Sequence, residues 1–336
     1  MRADRIAVVI TATLVSAVCL HAMAVREPAP APAARQSRVA VGDASLYVRE
    51  IGRGQPAIVL HGGPDFDSAY LLPDLDRLAD KLRLIYYDQR GRGKSAAHVH
   101  PEEVSLASDL DDLDRIRRHF SLKAPILLGH SWGTVLALEY ALRHPANVSR
   151  LILMNPAPAS AADVALFRTA YIQALGSDMV RQRAIVQTAA YLEGDPETVA
   201  SRYRIHFKPA FESTDAYEKL MATMKTAFVR QGKTGIVEAR AVEDRLMRDT
   251  WEIDGYDLLP KLRSLNVPTL VMTADHDFIP VDVASHIADA LPKAQLFTIK
   301  HCGHFAYLEC PGDVRRAVDN FLAPAQTTSS RPAKRD

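Results

Sequence analysis

Short apolar runs alternate with amphipathic stretches along most of the chain. Apolar runs bounded by turn residues predict buried strands. They occupy residues 57–60, 84–87, 125–128, 151–154, 268–272 and 295–299. Helical spacing of apolar residues separates them, at 71–82, 106–120, 135–142, 281–291 and 314–321. This alternation predicts an α/β fold with a mostly parallel sheet flanked by helices. Residues 39–51 alternate around Gly42-Asp43, which predicts a hairpin of two further strands before the first run.

The pattern changes between residues 157 and 251, where no clear strand occurs and several stretches have helical spacing, including 164–175 and 216–229. This region is predicted to be a helical cap inserted after the sixth strand. It would cover the strand ends, where open α/β sheets bind ligands. The core is then expected at 38–156 and 252–323, with the cap at 157–251.

The first residues have the layout of a secretory signal peptide. Two arginines precede an uncharged, mostly apolar stretch from Ile6 to Leu20, and Ala22-Met23-Ala24 follows. Residues 1–24 are therefore predicted to be a signal, cleaved near Ala24, that exports the protein to the periplasm or the medium. An uncleaved anchor is the alternative. The apolar stretch is short for a membrane span, which needs about 20 residues.

The segments at the two ends of the expected mature chain are polar or rich in proline and alanine. Residues 25–37 are predicted to be an extended linker, and residues 324–336 a disordered tail. Over the full sequence, 48% of the residues are hydrophobic and 24% are charged, which is ordinary for a globular protein. The formal net charge is +1, and no basic stripe indicates a nucleic-acid partner. Once the signal is cleaved, no stable membrane contact is expected. The oligomeric state is not predicted.

Gly93-Lys94-Ser95 resembles the end of a phosphate-binding loop, but the resemblance fails. That motif needs a glycine five positions before the lysine, where this chain has Gln89. Asp88 beside it would repel phosphate. Asp88, Arg90 and Arg92 are instead expected to form a structural polar network.

The segment from Gly129 to Gly133 reads G-x-S-x-G between a predicted strand and a predicted helix. In that context the serine of the motif stands on a sharp turn and can act as a nucleophile. The two glycines let the chain turn closely, and the following helix directs its N-terminus at the reacting centre. The alternative is that Ser131 only caps the helix.

A serine nucleophile needs a histidine base that is oriented by a carboxylate. His304 follows the last predicted strand and is favoured over His301 because of its position in the loop. Asp277 follows the strand at 268–272 and is favoured over Asp275, which would cap or brace the turn.

A tetrahedral intermediate also needs backbone N–H donors for its oxyanion. Trp132, directly after the serine, is expected to supply one donor. Gly63, in the loop after the strand at 57–60, is expected to supply the second, with Gly62 as the less favoured choice. His61 in the same loop is expected to be structural.

Five motifs occur in a set order along the chain: HGGP at 61–64, DQRGRGKS at 88–95, GHSWG at 129–133, ADHDFIP at 274–280 and CGHFAYLECP at 302–311. Together they resemble an α/β-hydrolase of the proline iminopeptidase-like branch, over residues 38–322. The resemblance implies a catalytic triad of Ser131, Asp277 and His304, with Gly63 and Trp132 as oxyanion donors. It also implies that no metal and no cofactor takes part.

The resemblance has departures that bear on the substrate. Asp65 stands where proline iminopeptidases usually continue HGGP with glycine, and Ala274 replaces a glycine before the acid. Those peptidases hold the free amino group of the substrate with cap carboxylates. Glu193, Glu212, Glu218, Glu243 and Glu252 are the candidates here, and none can be aligned.

The expected reaction is hydrolysis of a small-molecule or short-peptide substrate through an acyl-enzyme. An aminopeptidase releasing N-terminal proline is favoured, and an esterase, lactonase or amidase is the alternative. A non-catalytic binding protein on the same fold is a third interpretation, although such a protein would be expected to lack a triad member. Epoxide hydrolases and dehalogenases are disfavoured, because they use an aspartate where this chain has Ser131.

Two cysteines, Cys302 and Cys310, remain after the signal is removed. An exported protein could pair them. Sequence cannot give the Cα separation that pairing needs, so two buried or half-buried thiols are the favoured expectation.

Overall fold

An eight-stranded sheet organises the protein. The computed structural model describes residues 33–323. The strands are β1 (Arg35–Val41), β2 (Ala44–Ile51), β3 (Gln55–Leu60), β4 (Leu82–Tyr87), β5 (Ile126–His130), β6 (Arg150–Met154), β7 (Thr269–Ala274) and β8 (Ala294–Ile299). All the predicted strands are present, including the hairpin β1–β2. The predicted signal, residues 25–32 of the predicted linker and the tail lie outside the described residues. Residues 35–37, which were predicted to belong to the linker, instead form the start of β1.

The strand order is β1-β2-β4-β3-β5-β6-β7-β8. β1 pairs with β2 and β2 with β4 in antiparallel fashion, and every later pair is parallel. β5 lies between β3 and β6, and its five residues are all buried. A strand covered on both faces can be apolar throughout, because neither face meets water. The predicted α/β fold with a mostly parallel sheet is confirmed.

The helices flank the sheet, and several of them belong to the region between β6 and β7. They are α1 (Leu106–His119), α2 (Gly133–Arg143), α3 (Ala161–Leu175), α4 (Asp178–Val186), α5 (Ala189–Leu192), α6 (Pro196–Phe207), α7 (Thr214–Arg248), α8 (Leu259–Leu262), α9 (Val281–Ala290), α10 (Ala306–Glu309) and α11 (Pro311–Leu322). α7 is broken at Gly232, whose φ of 69° lies outside the helical region. α3 to α7 fall within the segment predicted to be a cap.

The helix expected over residues 71–82 does not form. Two short 3₁₀ helices take its place, at Ser68–Leu71 and Asp74–Leu78, and β4 already begins at Leu82. Pro73 explains the difference, because proline has no N–H to donate and its ring interrupts an α-helix. The apolar residues there still face inward: Leu71, Leu75 and Leu78 are all buried. The prediction of an inward-facing apolar stretch is confirmed, and the predicted type of helix is wrong.

Asp88, Arg90 and Arg92 all form buried polar contacts, as expected, but their side chains bind other groups and not one another. All three side chains are buried, but each binds different partners. Asp88 accepts from the backbone and hydroxyl of Ser68, at 3.0 and 2.6 Å. Both arginines bind carboxylates on α1, as described below. The loop after β4 is thus fastened to two neighbouring segments.

Within residues 33–323 no helix is long and apolar enough to cross a membrane.

Candidate active site

Ser131 occupies the turn between β5 and α2 with a φ of 53°, in the left-handed region that non-glycine residues rarely adopt. The flanking glycines are required because the chain approaches itself closely. A Cβ at Gly129 would lie 2.5 Å from the Gly133 carbonyl oxygen, and one at Gly133 would collide with Leu60. Thr134 fixes the turn, because its backbone N–H and its hydroxyl both donate to the Ser131 carbonyl, at 2.9 and 2.6 Å.

The imidazole of His304 is bound to the carboxylate of Asp277. His304 Nδ1 lies 2.9 and 3.0 Å from the two oxygens of Asp277. Both side chains are almost fully buried, 2% and 1% exposed. The backbone of His304 is held as well, since its N–H donates to the Ala210 carbonyl at 2.8 Å. The ring therefore has a fixed position and a fixed partner for Nδ1.

Asp277 has two further donors that keep its carboxylate in place. The side-chain amide of Asn155 donates to it at 2.8 Å, and so does the backbone N–H of Ile279. The sequence had indicated Asn155 only as the end of a strand. The available signal was its position: it follows β6, which lies beside β7, and parallel neighbours end at the same edge of a sheet.

The two alternative residues lie elsewhere. Asp275 binds His276 Nδ1 at 2.9 Å and lies 3.6 Å from Lys300 Nζ, in contact with surface side chains. His301 is exposed and stacks on the ring of His276. Neither Asp275 nor His301 lines the cavity described next, so the structure brings together Asp277 and His304, the residues that were favoured.

A cavity of about 130 Å³ opens above the carboxyl ends of the central strands, and Gly63, Ser131, Trp132 and His304 line it. Ser131 and His304 thus face the same space, although their side chains make no hydrogen bond to each other in the described chain. In a site without substrate such contacts are often long and tighten only in the complex. Every predicted site residue except Asp277 lines the cavity, and Asp277 instead binds the imidazole of His304.

The two glycines of the loop after β3 differ in their hydrogen bonds. The N–H of Gly62 donates to the hydroxyl of Tyr70 at 2.7 Å. Neither Gly63 N–H nor Trp132 N–H donates to a protein acceptor within residues 33–323. Those two groups therefore remain available to a ligand in the cavity. His61, in the same loop, is buried and binds Gln89 through its side chain and backbone, and burial lowers its pKa to about 4.

Helices α3, α6 and α7 supply much of the remaining wall. Most of it is aromatic: Phe66, Phe167, Tyr203, Phe207, Trp251, Phe278 and Phe305. Three ionisable side chains interrupt this apolar surface, namely Asp65, Arg202 and Glu243. Asp65 accepts a hydrogen bond from the Tyr203 hydroxyl. Burial raises the pKa of Asp65, and together with the nearby Asp65 carboxylate it raises the pKa of Glu243 to about 8.

Of the five cap carboxylates that the sequence singled out, only Glu243 lines the cavity. Glu193 pairs with Lys233, Glu218 with Arg204, and Glu212 with His276. Glu252 is exposed. The helical periodicity of the cap could not separate these residues, because it does not say which helix face covers the sheet edge.

Cys302 and Cys310 form a disulfide, with their Cα atoms 6.3 Å apart. The expectation of two thiols was therefore wrong, since the loop folds back within the Cα separation that pairing needs. The disulfide closes a loop that contains His304. Glu309, inside the same loop, accepts from the backbone N–H groups of Gly303 and Ser213, both at 2.8 Å, and so ties the loop to the start of α7.

Within the described part of the chain, no cluster of three or more His, Cys, Asp or Glu side chains could hold a metal ion.

A family model for the alpha/beta hydrolase fold matches residues 56–311. The proline iminopeptidase of Lactobacillus crispatus (strain ST1) is 26% identical over 272 residues, which cover 78% of this chain and 89% of the relative. A putative carbamate hydrolase of Agrobacterium fabrum is also 26% identical, over 281 residues, 81% of this chain and 95% of the relative.

Among solved structures, a proline iminopeptidase-related protein from Thermus thermophilus has the same fold, with a TM-score of 0.65. It is 22% identical, and the match covers 86% of this chain and 97% of that one. The family match spans well over half of the sequence. The protein therefore belongs to the alpha/beta hydrolase fold family and is a hydrolase that is similar to proline iminopeptidases.

Proposed function

We propose that the protein is a serine hydrolase that forms an acyl-enzyme on Ser131. The observation that carries this proposal is the contact between His304 Nδ1 and Asp277, directly behind a cavity that Ser131 and His304 both line. A buried imidazole held by a carboxylate, beside a serine on a strained turn, is the arrangement that nucleophilic catalysis requires.

The hydrogen bonds of the imidazole determine the path of the proton during the reaction. With Nδ1–H donating to Asp277, Nε2 of His304 is the basic nitrogen and takes the proton of the Ser131 hydroxyl as it attacks the carbonyl. The imidazolium then gives that proton to the leaving group, and Asp277 stabilises its positive charge. Water hydrolyses the acyl-enzyme by the same steps.

The negative charge on the attacked oxygen needs donors that are already in place. The N–H groups of Gly63 and Trp132 meet that need, because no protein acceptor in residues 33–323 uses either of them. Trp132 is also the N-cap residue of α2, whose N-terminus favours negative charge.

Within this class we propose an aminopeptidase that releases an N-terminal proline or a similar residue. Two carboxyl groups in the cavity wall, Asp65 and Glu243, support the proposal, since either can bind a charged amino group. Binding an ammonium would favour the ionised form of Glu243, whose pKa is otherwise raised to about 8. The similarity to proline iminopeptidases supports the same substrate.

A hydrolase of small esters, lactones, amides or carbamates is the second candidate. The aromatic wall of the cavity suits a compact apolar acyl group, and one relative is a putative carbamate hydrolase. Both candidates use the same nucleophile and differ only in what the cavity holds.

A paired assay with proline arylamides and p-nitrophenyl esters separates these candidates. The Ser131→Ala variant should lose activity on both substrates and should not react with a fluorophosphonate probe. Full activity of that variant would refute the nucleophile. Ester turnover without arylamide turnover would refute the aminopeptidase proposal but not the serine hydrolase proposal.

We also propose that the protein is exported, with cleavage near Ala24. The disulfide between Cys302 and Cys310 supports this proposal, because disulfides persist in oxidising compartments. N-terminal sequencing of the protein from the periplasm or the medium tests it. A mature chain that still begins at Met1 would contradict it.

A further inference from the structure

Arg202, on α6, is a charged residue in the wall of the cavity that the proposed mechanism does not use. No carboxylate oxygen in residues 33–323 lies within 4.0 Å of its guanidinium nitrogens. It donates no hydrogen bond to any of these residues, and its Nε is buried without an acceptor. A guanidinium has five N–H donors and no acceptor, so this group can bind only an anion or a neutral acceptor.

The other deeply placed arginines of the protein show how different this is. Arg90 binds both oxygens of Asp112 at 2.8 Å, and Arg92 binds Asp109 at 2.6 Å. Each therefore has its counter-charge in direct contact. Arg202 is half-buried and has no such partner, so an anionic ligand in the cavity would supply the counter-charge that Arg90 and Arg92 already have. Arg202 lacks a partner on the side that faces the cavity.

Arg202 is nevertheless held in place. Its Cζ lies 4.5 Å from the centre of the Tyr203 ring, a cation–π distance. Asp65 is engaged by the Tyr203 hydroxyl, and Glu243 makes no ion pair with Arg202. These two carboxyl groups interact with Arg202 only electrostatically, without a hydrogen bond or ion-pair contact. The cavity wall thus presents a cation and two carboxyl groups side by side, each with capacity to bind a ligand.

We propose that Arg202 binds a carboxylate of the substrate, so that the cavity accepts short substrates carrying a free carboxylate. This inference rests on the proposed hydrolase function at the same site. When an amino group is bound by Asp65 or Glu243 and a carboxylate by Arg202, the smallest peptide substrate is a dipeptide. Arginine suits this role because its planar fork matches the two oxygens of a carboxylate.

Two pairs of probes test the proposal, each matched except for one charge. Prolylglycine and prolylglycinamide differ in a carboxylate on the leaving group. Mono-p-nitrophenyl adipate and p-nitrophenyl hexanoate differ in a carboxylate on the acyl group. The wild-type protein should favour the acid of at least one pair by about tenfold or more in kcat/KM, as expected for a hydrogen bond between charged groups. The pair that responds identifies the side of the scissile bond on which the carboxylate lies.

Variants of Arg202 give the second part of the test. Arg202→Gln should remove the preference for the acid through KM, so that kcat/KM for the acid falls toward that for the neutral member of the same pair. Arg202→Lys should keep part of the preference, since it keeps the charge without the planar fork. Arg240→Gln is the matched control. It removes the same charge from a residue of α7 that binds the Leu192 carbonyl and does not line the cavity, and it should keep the preference.

Binding is measured as well, so that the result does not depend on turnover. Calorimetric titration of each probe into the Ser131→Ala protein should give tighter binding of the acid, and Arg202→Gln in that background should abolish the difference. Equal affinity for acid and neutral probes, or equal losses on both in Arg202→Gln, would overturn the proposal. Failure of the serine hydrolase proposal has a different signature, namely full activity of Ser131→Ala.

Discussion

Nε2 of His130 donates to the carbonyl oxygen of His304 at 3.1 Å. The other ring nitrogen of His130 lies 2.8 Å from the hydroxyl of Tyr70, which accepts from Gly62 N–H. Burial lowers the pKa of His130 well below its ordinary value, so the ring is neutral and both nitrogens are used. One buried chain of hydrogen bonds therefore connects the loop after β3 to the loop that carries His304.

His130→Gln is expected to destabilise the protein, because a buried hydroxyl and a buried carbonyl lose their partner. The expected loss is about 1–3 kcal/mol of unfolding free energy, the cost of leaving buried polar groups unsatisfied. Urea denaturation measures it. His144→Gln, at an exposed histidine, is the control and should have little effect. Equal stability of the two variants would contradict the connecting role.

Asn155→Ala is expected to lower kcat about 10- to 100-fold while leaving KM within about threefold. The variant removes the amide that donates to Asp277 at 2.8 Å, and a hydrogen bond to a charged group contributes roughly 1.5–3 kcal/mol. Steady-state kinetics on the best substrate of the paired assay measures the split. Asn266→Ala, at an exposed asparagine, should leave both constants unchanged. A rise in KM alone would mean that Asn155 acts on substrate binding instead.

Removing the disulfide is expected to destabilise the loop around His304. The disulfide closes a loop between cysteines eight positions apart, and the lower entropy of the unfolded chain then adds on the order of 2 kcal/mol to the free energy of unfolding. The double variant Cys302→Ala/Cys310→Ala should unfold at lower urea concentration, and treatment of the wild type with dithiothreitol should shift it toward the same midpoint. Dithiothreitol should not affect the double variant. An unchanged midpoint in the double variant would show that the Glu309 contacts alone hold the loop.

Glu243 makes stability depend on pH in a defined direction. Burial raises its pKa from 4.5 to about 8, so the folded protein binds this proton more tightly than the unfolded chain. The stabilisation that comes from this bound proton is fully present below about pH 4.5, the pKa of the group in the unfolded chain. It is lost as the pH rises through about 8, the pKa in the folded protein. Glu243→Gln should therefore match the wild type in urea midpoint at about pH 4, below the unfolded pKa, and exceed it at pH 8.5.

The matched control for that comparison is Glu238→Gln on the same helix, which should follow the wild type at both pH values. A Glu243→Gln protein less stable than the wild type at pH 8.5 would contradict the raised pKa.

The sequence was sufficient for the sheet, the turn at Ser131 and the residues that meet there. Apolar runs predict buried strands, and the order of strands and helices leaves few topologies. Strand ends located the two loops, and position within each loop then favoured Asp277, just before an apolar turn into a helix, over Asp275, and His304 over His301. Such arguments work because parallel strands deliver their following loops to one edge, where separate segments meet.

The sequence was insufficient where a contact depends on how helices turn against the sheet. The cap helices have many polar residues, and periodicity alone did not reveal that Arg202 and Glu243 face the cavity. Asn155 was missed for a related reason, because its role depends on the pairing of β6 with β7. The disulfide required a backbone distance, which no spacing along the chain provides.

The order of strands has a consequence for how the protein acquires activity. Ser131 and His304 are separated by about half of the chain, and His304 follows β8, which forms the edge of the sheet. A chain that has folded only as far as β6 already contains the turn with its serine, but no base. Nascent chains and chains truncated before β8 should consequently show no hydrolytic activity. During refolding, activity should appear only when β8 joins the sheet.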